Sequence, residues 1–290
     1  MRESSLLDRL TLVYVVFAAL VTALRWPASA GAPSVLLLYA AVALLALAAP
    51  ALRRRGGVPA FFGEFYPLIL TVLLYSAIGT LNSAAGVLHD LRVQAVEQAL
   101  FGGQPSVEWI RAMPSPVFST LMHGAYLSYF AILAVGPMGL WFSRRREESR
   151  RVLLACITAF YVCYAVFLLF PVAGPRYLFP LAENGATTIG IARFVRALLS
   201  GGSALGTAFP SSHVAASAVV SVRTYLEWKP LGVPLLAVSM LLALATVYCQ
   251  FHYAVDALAG AVVGVGVLVG LQSFVFRTTP LTTGSRPSAY

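Results

Sequence analysis

Charged residues are scarce in this chain of 290 residues. They make up 11% of the sequence, less than half of the roughly 25% that is usual in soluble domains. Hydrophobic residues make up 59%, and the mean hydropathy is +0.81. This composition excludes an ordinary soluble domain and indicates a membrane-embedded protein.

Cysteine and the common cofactor motifs are scarce as well. The three cysteines, Cys156, Cys163 and Cys249, form no C-x-x-C pair, and an odd number cannot complete a disulfide framework. We expect them to be packing residues in apolar segments. The chain contains no H-E-x-x-H, P-loop or dinucleotide-binding motif. The sequence therefore does not support a zinc protease, a P-loop nucleotide site or a dinucleotide site.

The net charge of +9 does not indicate a nucleic-acid partner. Arginines cluster between apolar segments, at 53–55, 144–146 and 150–151, and no basic patch is interleaved with aromatic residues. Such clusters are typical of the loops that fix the orientation of a membrane protein. We therefore expect a lipid bilayer, and no nucleic acid, as a partner.

Eight apolar segments approach or reach the 17–25 or so helical residues that cross a bilayer. They predict an all-α polytopic membrane protein with about eight transmembrane helices. The sixth segment is the shortest. The segments are Leu6–Leu24, Ser34–Leu52, Phe65–Leu81, Pro116–Phe142, Val152–Phe170, Ser212–Leu226, Leu231–Tyr248 and Tyr253–Phe276.

The basic residues predict the orientation of these segments. Fourteen of the twenty fall on one side of the membrane when the amino terminus is placed in the cytoplasm. This bias predicts cytoplasmic amino and carboxyl termini, in a protein of the cell membrane. The loops that precede His213 and surround His252 then lie on the extracytoplasmic side.

The first segment has two interpretations. A basic start, an apolar stretch and Ala28-Ser29-Ala30 are typical of a cleaved signal peptide. Glu3, Asp8 and Arg25 are unusual in such a leader, so an uncleaved anchor is favoured, and the orientation is the same in both cases. At the other end of the chain we expect residues 278–290 to be a disordered cytoplasmic tail.

Two loops are longer than a connection requires. In the first, residues 82–115, the segment Leu88–Phe101 has helical periodicity and predicts a helix in the outer membrane interface. We expect Asp90 and Glu97 of this helix, like Glu64, to be solvated surface groups. The second long loop contains the first of three polar motifs.

Two histidines and a carboxylate stand beside the ends of apolar segments, in a chain with only four histidines and three aspartates. His252 and Asp256 are four residues apart, so on a helix they share one face. Asp256 can then orient the imidazole by accepting a hydrogen bond, as in many nucleophilic sites. A buried ion pair between helices is the alternative interpretation of this spacing.

Pro210-Ser211-Ser212-His213 is typical of a helix start, with Ser211 or Ser212 as the cap. The free N–H groups of a helix amino terminus suit a phosphate, and His213 in the first turn can protonate a leaving oxygen. An ordinary cap beside a histidine is the alternative.

Gly174-Pro175-Arg176 follows the fifth apolar segment, in the second long loop. Arg176 can bind two phosphate oxygens with its planar guanidinium, or it can extend to lipid headgroups as an interfacial arginine. Its position on the same side as His213 and His252 favours one anion site to which all three motifs contribute.

In this order the three motifs resemble those of the type 2 phosphatidic acid phosphatase superfamily. His252-Tyr253-Ala254-Val255-Asp256, with Phe101-Gly102, is similar to the inositol phosphorylceramide synthase-like (inositolphosphotransferase) branch. The resemblance implies that His252 is the nucleophile, Asp256 its orienting group and His213 the general acid. It also implies that phosphate is bound without a metal or a cofactor, by Arg176, Ser211 and Ser212.

Two cations of the broader superfamily pattern are absent here. The expected lysine is replaced by Leu169, and the expected arginine by Thr246. Arg193 and Arg196, on the same outer loop, are candidates to replace them. These departures fit the synthase-like branch better than the phosphatase branch.

The sequence therefore predicts a membrane lipid phosphatase or phosphotransferase that acts on a phosphoester or phosphodiester lipid at the extracytoplasmic face. A lipid transporter or flippase and a catalytically degenerate membrane protein are the alternatives. By resemblance the chain divides into two additional helices in 1–56, a six-helix phosphatase-like core in 57–277 and the tail 278–290. The oligomeric state is left open.

Overall fold

The computed structural model describes residues 2–26 and 29–276. Ala28 of the candidate cleavage site and the tail 278–290 lie outside the described residues. Within these ranges the chain forms twelve helices: α1 (Arg2–Arg25), α2 (Ala32–Arg54), α3 (Gly57–Ala85), α4 (Asp90–Phe101), α5 (Pro105–Ala112), α6 (Pro116–Phe142), α7 (Arg146–Leu169), α8 (Pro175–Leu178), α9 (Gly190–Gly202), α10 (Ser212–Glu227), α11 (Lys229–Tyr248) and α12 (Ala254–Phe274).

Seven helices in the described part are long and apolar enough to cross a bilayer: α1, α2, α3, α6, α7, α11 and α12. They overlap seven of the eight predicted segments, although α3 begins at Gly57, before the predicted Phe65. The remaining segment forms α10, whose 16 residues rise about 24 Å, somewhat less than the hydrocarbon thickness. The predicted all-α membrane fold is therefore confirmed, with one helix shorter than the rest.

Helix α7 lies at the centre of the bundle. Helices α1, α3, α6, α10 and α12 pack against it, α2 packs on α1 and α3, and α11 packs on α6 and α10. Cys156 and Cys163 are buried on α7, and Cys249 is buried just after α11. All three are free thiols in apolar surroundings, as predicted.

A network of ion pairs joins α1, α2, α3 and α7 at the end of the bundle remote from the motifs. Arg53 binds Asp8 with N–O distances of 2.6 and 2.7 Å, and it lies 3.4 Å from Glu64. Arg150 binds Glu64 at 2.7 Å. The prediction that Glu64 is a surface group is wrong, because arginines from two neighbouring helices compensate its buried charge.

Short helices and loop segments cover the opposite end of the bundle. The helix predicted in the first long loop is confirmed as α4, and α5 follows it; α8 and α9 lie in the second loop. The start of the second loop lies beside its end, because Val172 donates to Gly206 at 3.4 Å and accepts from Ala208 at 2.8 Å. This pairing places the first motif beside the second.

Helices α10 and α12 cross closely near their amino termini, and Gly260 permits the approach. A Cβ at Gly260 would lie 2.4 Å from the carbonyl oxygen of Ser211. A Cβ at Gly264, one turn later, would lie 3.4 Å from the carbonyl oxygen of Ala215, which is an ordinary contact distance, whereas a Cβ at Gly266 would have no neighbour within 4 Å among the described residues. Only the first of these glycines is required by contact with a neighbouring backbone.

We predict that Gly260→Ala destabilises the fold by about 1–3 kcal/mol, because a backbone carbonyl cannot move aside as a side chain can. Gly266→Ala is the matched control on the same helix. It adds a methyl group to open space and removes the conformational freedom of glycine, so stability stays equal or rises by up to about 1 kcal/mol. Thermal unfolding in detergent measures both variants, and equal midpoints would contradict the close crossing.

Candidate active site

The rings of His213 and His252 meet where α10 and α12 begin. Nδ1 of His213 lies 3.4 Å from Nε2 of His252. Nε2 of His213 lies 3.2 Å from the hydroxyl of Tyr126 on α6, and the ring of Tyr129 packs on His213 with centroids 4.3 Å apart. Two histidines from different motifs therefore form one pair, supported by aromatic side chains.

The surroundings of His252 determine which of its nitrogens carries the proton. Nδ1 lies 3.0 Å from the carbonyl oxygen of Ala208, which can only accept a hydrogen bond. Nδ1 is therefore protonated in the neutral ring, and Nε2 presents a lone pair. His213 then donates from Nδ1 to this lone pair, and its Nε2 accepts from Tyr126.

The protonation state of His252 is also set by its environment. Burial lowers its pKa to about 4, and the nearby Arg176 cation acts in the same direction, although the hydrogen bond to Ala208 opposes the shift. The imidazole is therefore neutral near pH 7. A neutral ring with an available Nε2 is the form that acts as a nucleophile or a base.

Asp256 lies beside His252, but it is not the nearest partner of the ring. Its Oδ2 is 3.4 Å from Nδ1 of His252, farther than the carbonyl of Ala208. The same Oδ2 accepts from the backbone N–H of Tyr253 at 2.9 Å, which closes the first turn of α12. Sequence reasoning missed Ala208 because a backbone carbonyl has no residue-type signature.

The start of α10 confirms the predicted serine cap. The side chain of Ser211 accepts from the N–H of Val214 at 3.4 Å, and its own N–H donates to the carbonyl of Asp256 at 2.9 Å. Ser211 is fully buried, whereas Ser212 lines a cavity together with the two histidines. Ser212 is therefore the serine of this motif that faces the cavity.

Gly174 brings the first motif against the other two. Its φ of +94° lies in the left-handed region, and a Cβ there would be 3.1 Å from Ala208 Cβ and 3.3 Å from the carbonyl oxygen of Phe251. Arg176 follows in α8, where its guanidinium is 3.4 Å from the carbonyl of Leu199 and lines the same cavity as both histidines. All three sequence motifs therefore meet at one place.

Asp90, predicted to be solvated, is instead buried at this junction. Its carboxylate accepts from the backbone N–H groups of Ala173 and Gly174, each at 2.9 Å. It also accepts from the hydroxyl of Tyr253 at 3.2 Å. The prediction is wrong because a tight loop needs acceptors for its N–H groups, and Asp90 provides two.

Glu97, the second acidic residue of α4, is buried as well, so its prediction as a surface group is also wrong. Its Oε1 accepts from the N–H of Ala254 at 3.3 Å, at the start of α12. Burial raises the pKa of Glu97 to about 7, and the nearby Asp256 carboxylate adds to the shift. Helix α4 thus contacts the first motif through Asp90 and the third through Glu97.

A cavity of about 410 Å³ extends from the histidines into the bundle. Its polar end is lined by His213, His252, Arg176 and Ser212, and its apolar walls belong mainly to α3 and α6. These two helices contact each other at the remote end of the bundle, and the cavity is lined by both of them at the histidine end. The contacts at the remote end are aromatic and involve Phe61, Phe65 and Trp141.

The two positions of the absent cations carry uncharged side chains, although the carbonyl of Thr246 accepts from the backbone N–H of His252 at 3.0 Å. Leu169 is exposed at the end of α7, and Thr246 is buried on α11, where its hydroxyl donates to Ala243. Neither lines the cavity. Among residues 2–26 and 29–276, no group of three or more His, Cys, Asp or Glu side chains could hold a metal ion.

Comparison with known proteins gives two matches. The family model described as "PAP2 superfamily" matches residues 91–270, which is more than half of the chain. A PA-phosphatase related-family protein of Dictyostelium discoideum is 29% identical over 119 residues, which cover 39% of this chain and 21% of the relative. The chain thus spans about a fifth of that relative's length. No solved structure matches.

The buried carboxyl group of Glu97 predicts a pH dependence of stability. Its pKa rises from 4.5 in the unfolded chain to about 7 in the fold, so the folded state binds this proton more tightly. Its contribution to stability is therefore full below pH 4.5 and is lost as the pH rises to 7, by up to about 3 kcal/mol.

We expect Glu97→Gln, which mimics the protonated form, to raise the unfolding midpoint relative to wild type at pH 8 but not at pH 4.5. Thermal unfolding in detergent across this range measures the midpoint of Glu97→Gln minus that of wild type at each pH. Groups that titrate equally in both proteins do not contribute to this difference. Glu108→Gln, which removes an exposed carboxylate bonded to the N–H of Gln104, is the control. A difference between wild type and Glu97→Gln that is constant with pH would contradict the raised pKa.

Proposed function

This chain belongs to the PAP2 superfamily, and from that premise we propose that it is a membrane-embedded lipid phosphatase or phosphotransferase with His252 as its nucleophile. The superfamily generally has phosphatase activity. The observation that carries the proposal is the His213–His252 pair beside Arg176, at the polar end of an otherwise apolar cavity.

The proposed reaction begins at the lone pair of His252 Nε2. Attack on phosphorus forms a P–N bond and breaks the bond between phosphorus and the leaving oxygen. For this step His213 carries a second proton, on Nε2, so that it gives its Nδ1 proton to that oxygen as an imidazolium and is left as a neutral ring. The positive charge that develops on His252 is stabilised by the Asp256 carboxylate, 3.4 Å from Nδ1, while the Ala208 carbonyl holds the ring in place.

In the second half of the reaction His213 acts as a base. It removes a proton from the acceptor hydroxyl, whose oxygen attacks phosphorus and displaces His252. Water as the acceptor gives a phosphatase, and a lipid alcohol gives a phosphotransferase. We propose transfer as the finer function, as in the inositol phosphorylceramide synthase-like branch, because the cations at positions 169 and 246 are absent.

Phosphate binding is assigned to Arg176 and to the amino terminus of α10. The guanidinium can bind two phosphate oxygens, and the first turn of α10 supplies N–H groups and the positive end of the helix dipole. Ser212 lines the cavity and can donate its hydroxyl. Ser211 supports this site indirectly, since it caps the helix.

The apolar part of the cavity supports a lipid substrate. Val72 on α3 and Phe130 on α6 line the cavity and are 63% and 56% exposed. Side chains exposed on transmembrane helices face the bilayer, so an acyl chain can reach the cavity between these helices. The phosphate then lies at the histidines, and the chain lies in the groove between α3 and α6.

The distribution of basic residues supports an extracytoplasmic site. Six of the twenty basic residues lie in or beside the segments that connect the long helices at the end of the bundle that contains the histidines. The remaining fourteen lie at the opposite end or in the flanking termini. By the positive-inside tendency, we propose that the protein resides in the cell membrane with both termini in the cytoplasm.

The chemical proposal predicts the behaviour of histidine variants. With a panel of phosphorus-labelled lipid monophosphates, diphosphates and phosphodiesters, His252→Ala should show no turnover above background. His213→Ala should lose about 10²- to 10⁴-fold in rate while still accumulating label on histidine. His89→Ala, whose ring stacks on Phe170 outside the cavity, is the control and should retain activity. Wild-type turnover by His252→Ala would contradict the assignment of His252 as the nucleophile.

The proposed orientation predicts the reactivity of introduced cysteines, because the three native cysteines are buried. Thr188 and Ser143 are exposed at opposite ends of the bundle. In intact cells, a membrane-impermeant maleimide should label Thr188→Cys, and should label Ser143→Cys only after permeabilisation. The reverse pattern would place the active site in the cytoplasm.

A further inference from the structure

We propose that a second cavity beside the first binds an anionic group which the substrate carries beyond its reacting phosphate, and that Arg196 binds this group. The inference rests on the proposed function, because it assigns a part of the substrate of the same site. It also separates Arg196 from Arg193, because it gives Arg196 a role at the headgroup rather than as a replacement for a cation that binds the reacting phosphate.

The second cavity has a volume of about 320 Å³, within the range of ligand sites. Arg196, Ser200 and Leu199 of α9 line it, together with Leu181, Phe251 and Arg176. Arg176, Leu199 and Phe251 also line the first cavity. The two cavities therefore share a boundary, and Arg176 lies on it.

The arginines at this boundary lack counter-ions. Within the described part of the chain, the ion pairs of Arg53, Arg150, Arg151 and Arg223 all lie at the remote end of the bundle, and no carboxylate lies within ion-pair distance of Arg176 or Arg196. Partial burial lowers the pKa of Arg196, which reflects the cost of a desolvated charge without a partner. An anion in the cavity would compensate that cost.

The positions of the two cavities indicate which part of the substrate each binds. The groove between α3 and α6 is apolar and suits the acyl chain. The second cavity lies toward α9 and presents a guanidinium and the Ser200 side chain. A phosphate held by Arg176 would therefore have its lipid part in the first cavity and its remaining substituent, the headgroup, in the second.

Arg193 provides a matched control for Arg196. It lies three residues earlier on the same helix, it is exposed, and it lines neither cavity. Both side chains carry the same charge on the same outer loop. A general electrostatic effect of the loop would therefore be similar for the two residues, whereas a contact in the cavity belongs to Arg196 alone.

The test compares a lipid monophosphate with the lipid diphosphate of the same chain. For Arg196→Gln we expect the KM for the diphosphate to rise about 10- to 100-fold, the loss typical of a hydrogen-bonded charge, with little change for the monophosphate. Arg193→Gln should match wild type on both lipids, and Arg196→Lys should recover part of the loss because it keeps the charge. An equal loss on both lipids, or no loss on either, overturns the assignment.

A binding measurement separates this inference from the proposed function. Pyrophosphate should raise the unfolding midpoint of the purified protein more than inorganic phosphate does, and Arg196→Gln should remove this preference while Arg193→Gln keeps it. If no lipid is turned over but the preference exists and depends on Arg196, the anion site stands and the proposed reaction fails. If wild type shows no preference, or if it persists in Arg196→Gln, the anion site is wrong.

Discussion

The site depends on backbone contacts among three loop segments. The carbonyl of Ala208 accepts a hydrogen bond from Nδ1 of His252, and the N–H of Ala208 donates to the carbonyl of Val172 at 2.8 Å. Gly174 fits between Ala208 and Phe251 because it has no side chain. A change in any of these contacts alters the orientation of His252, since the imidazole has no nearer partner for Nδ1. The chemistry assigned to one residue therefore rests on the packing of three segments.

Charge is distributed unequally between the two ends of the bundle. At the remote end, Arg53 and Arg150 are paired with Asp8 and Glu64, and these pairs connect four helices. At the histidine end, no carboxylate of the described residues forms an ion pair with Arg176. Pairing compensates the charge of buried carboxylates, whereas unpaired cations beside a cavity favour an anionic ligand. The same residue type thus neutralises buried charge at one end and is available for binding at the other.

Helix α4 connects the surface of the bundle to its site through two buried carboxylates. Asp90 accepts hydrogen bonds from the first motif, and Glu97 accepts from the start of α12. Burying these groups is unfavourable for the isolated side chains, but each satisfies backbone N–H groups that would otherwise lack a partner. The raised pKa of Glu97 reflects the unfavourable free energy of burying its charged form, and titration can measure it.

The sequence by itself determined the all-α membrane fold, the approximate positions of the long apolar helices, a serine cap at the start of α10 and the three motifs, because these depend on apolar length, local periodicity and short-range hydrogen bonds. Only the tertiary structure decided the roles of Ala208, Asp90, Glu97 and Arg196. A polar residue at helical spacing looks the same in sequence whether water or a distant backbone group is its partner. Burial and partner identity arise from contacts between segments far apart in the chain, and those contacts exist only once the helices have packed.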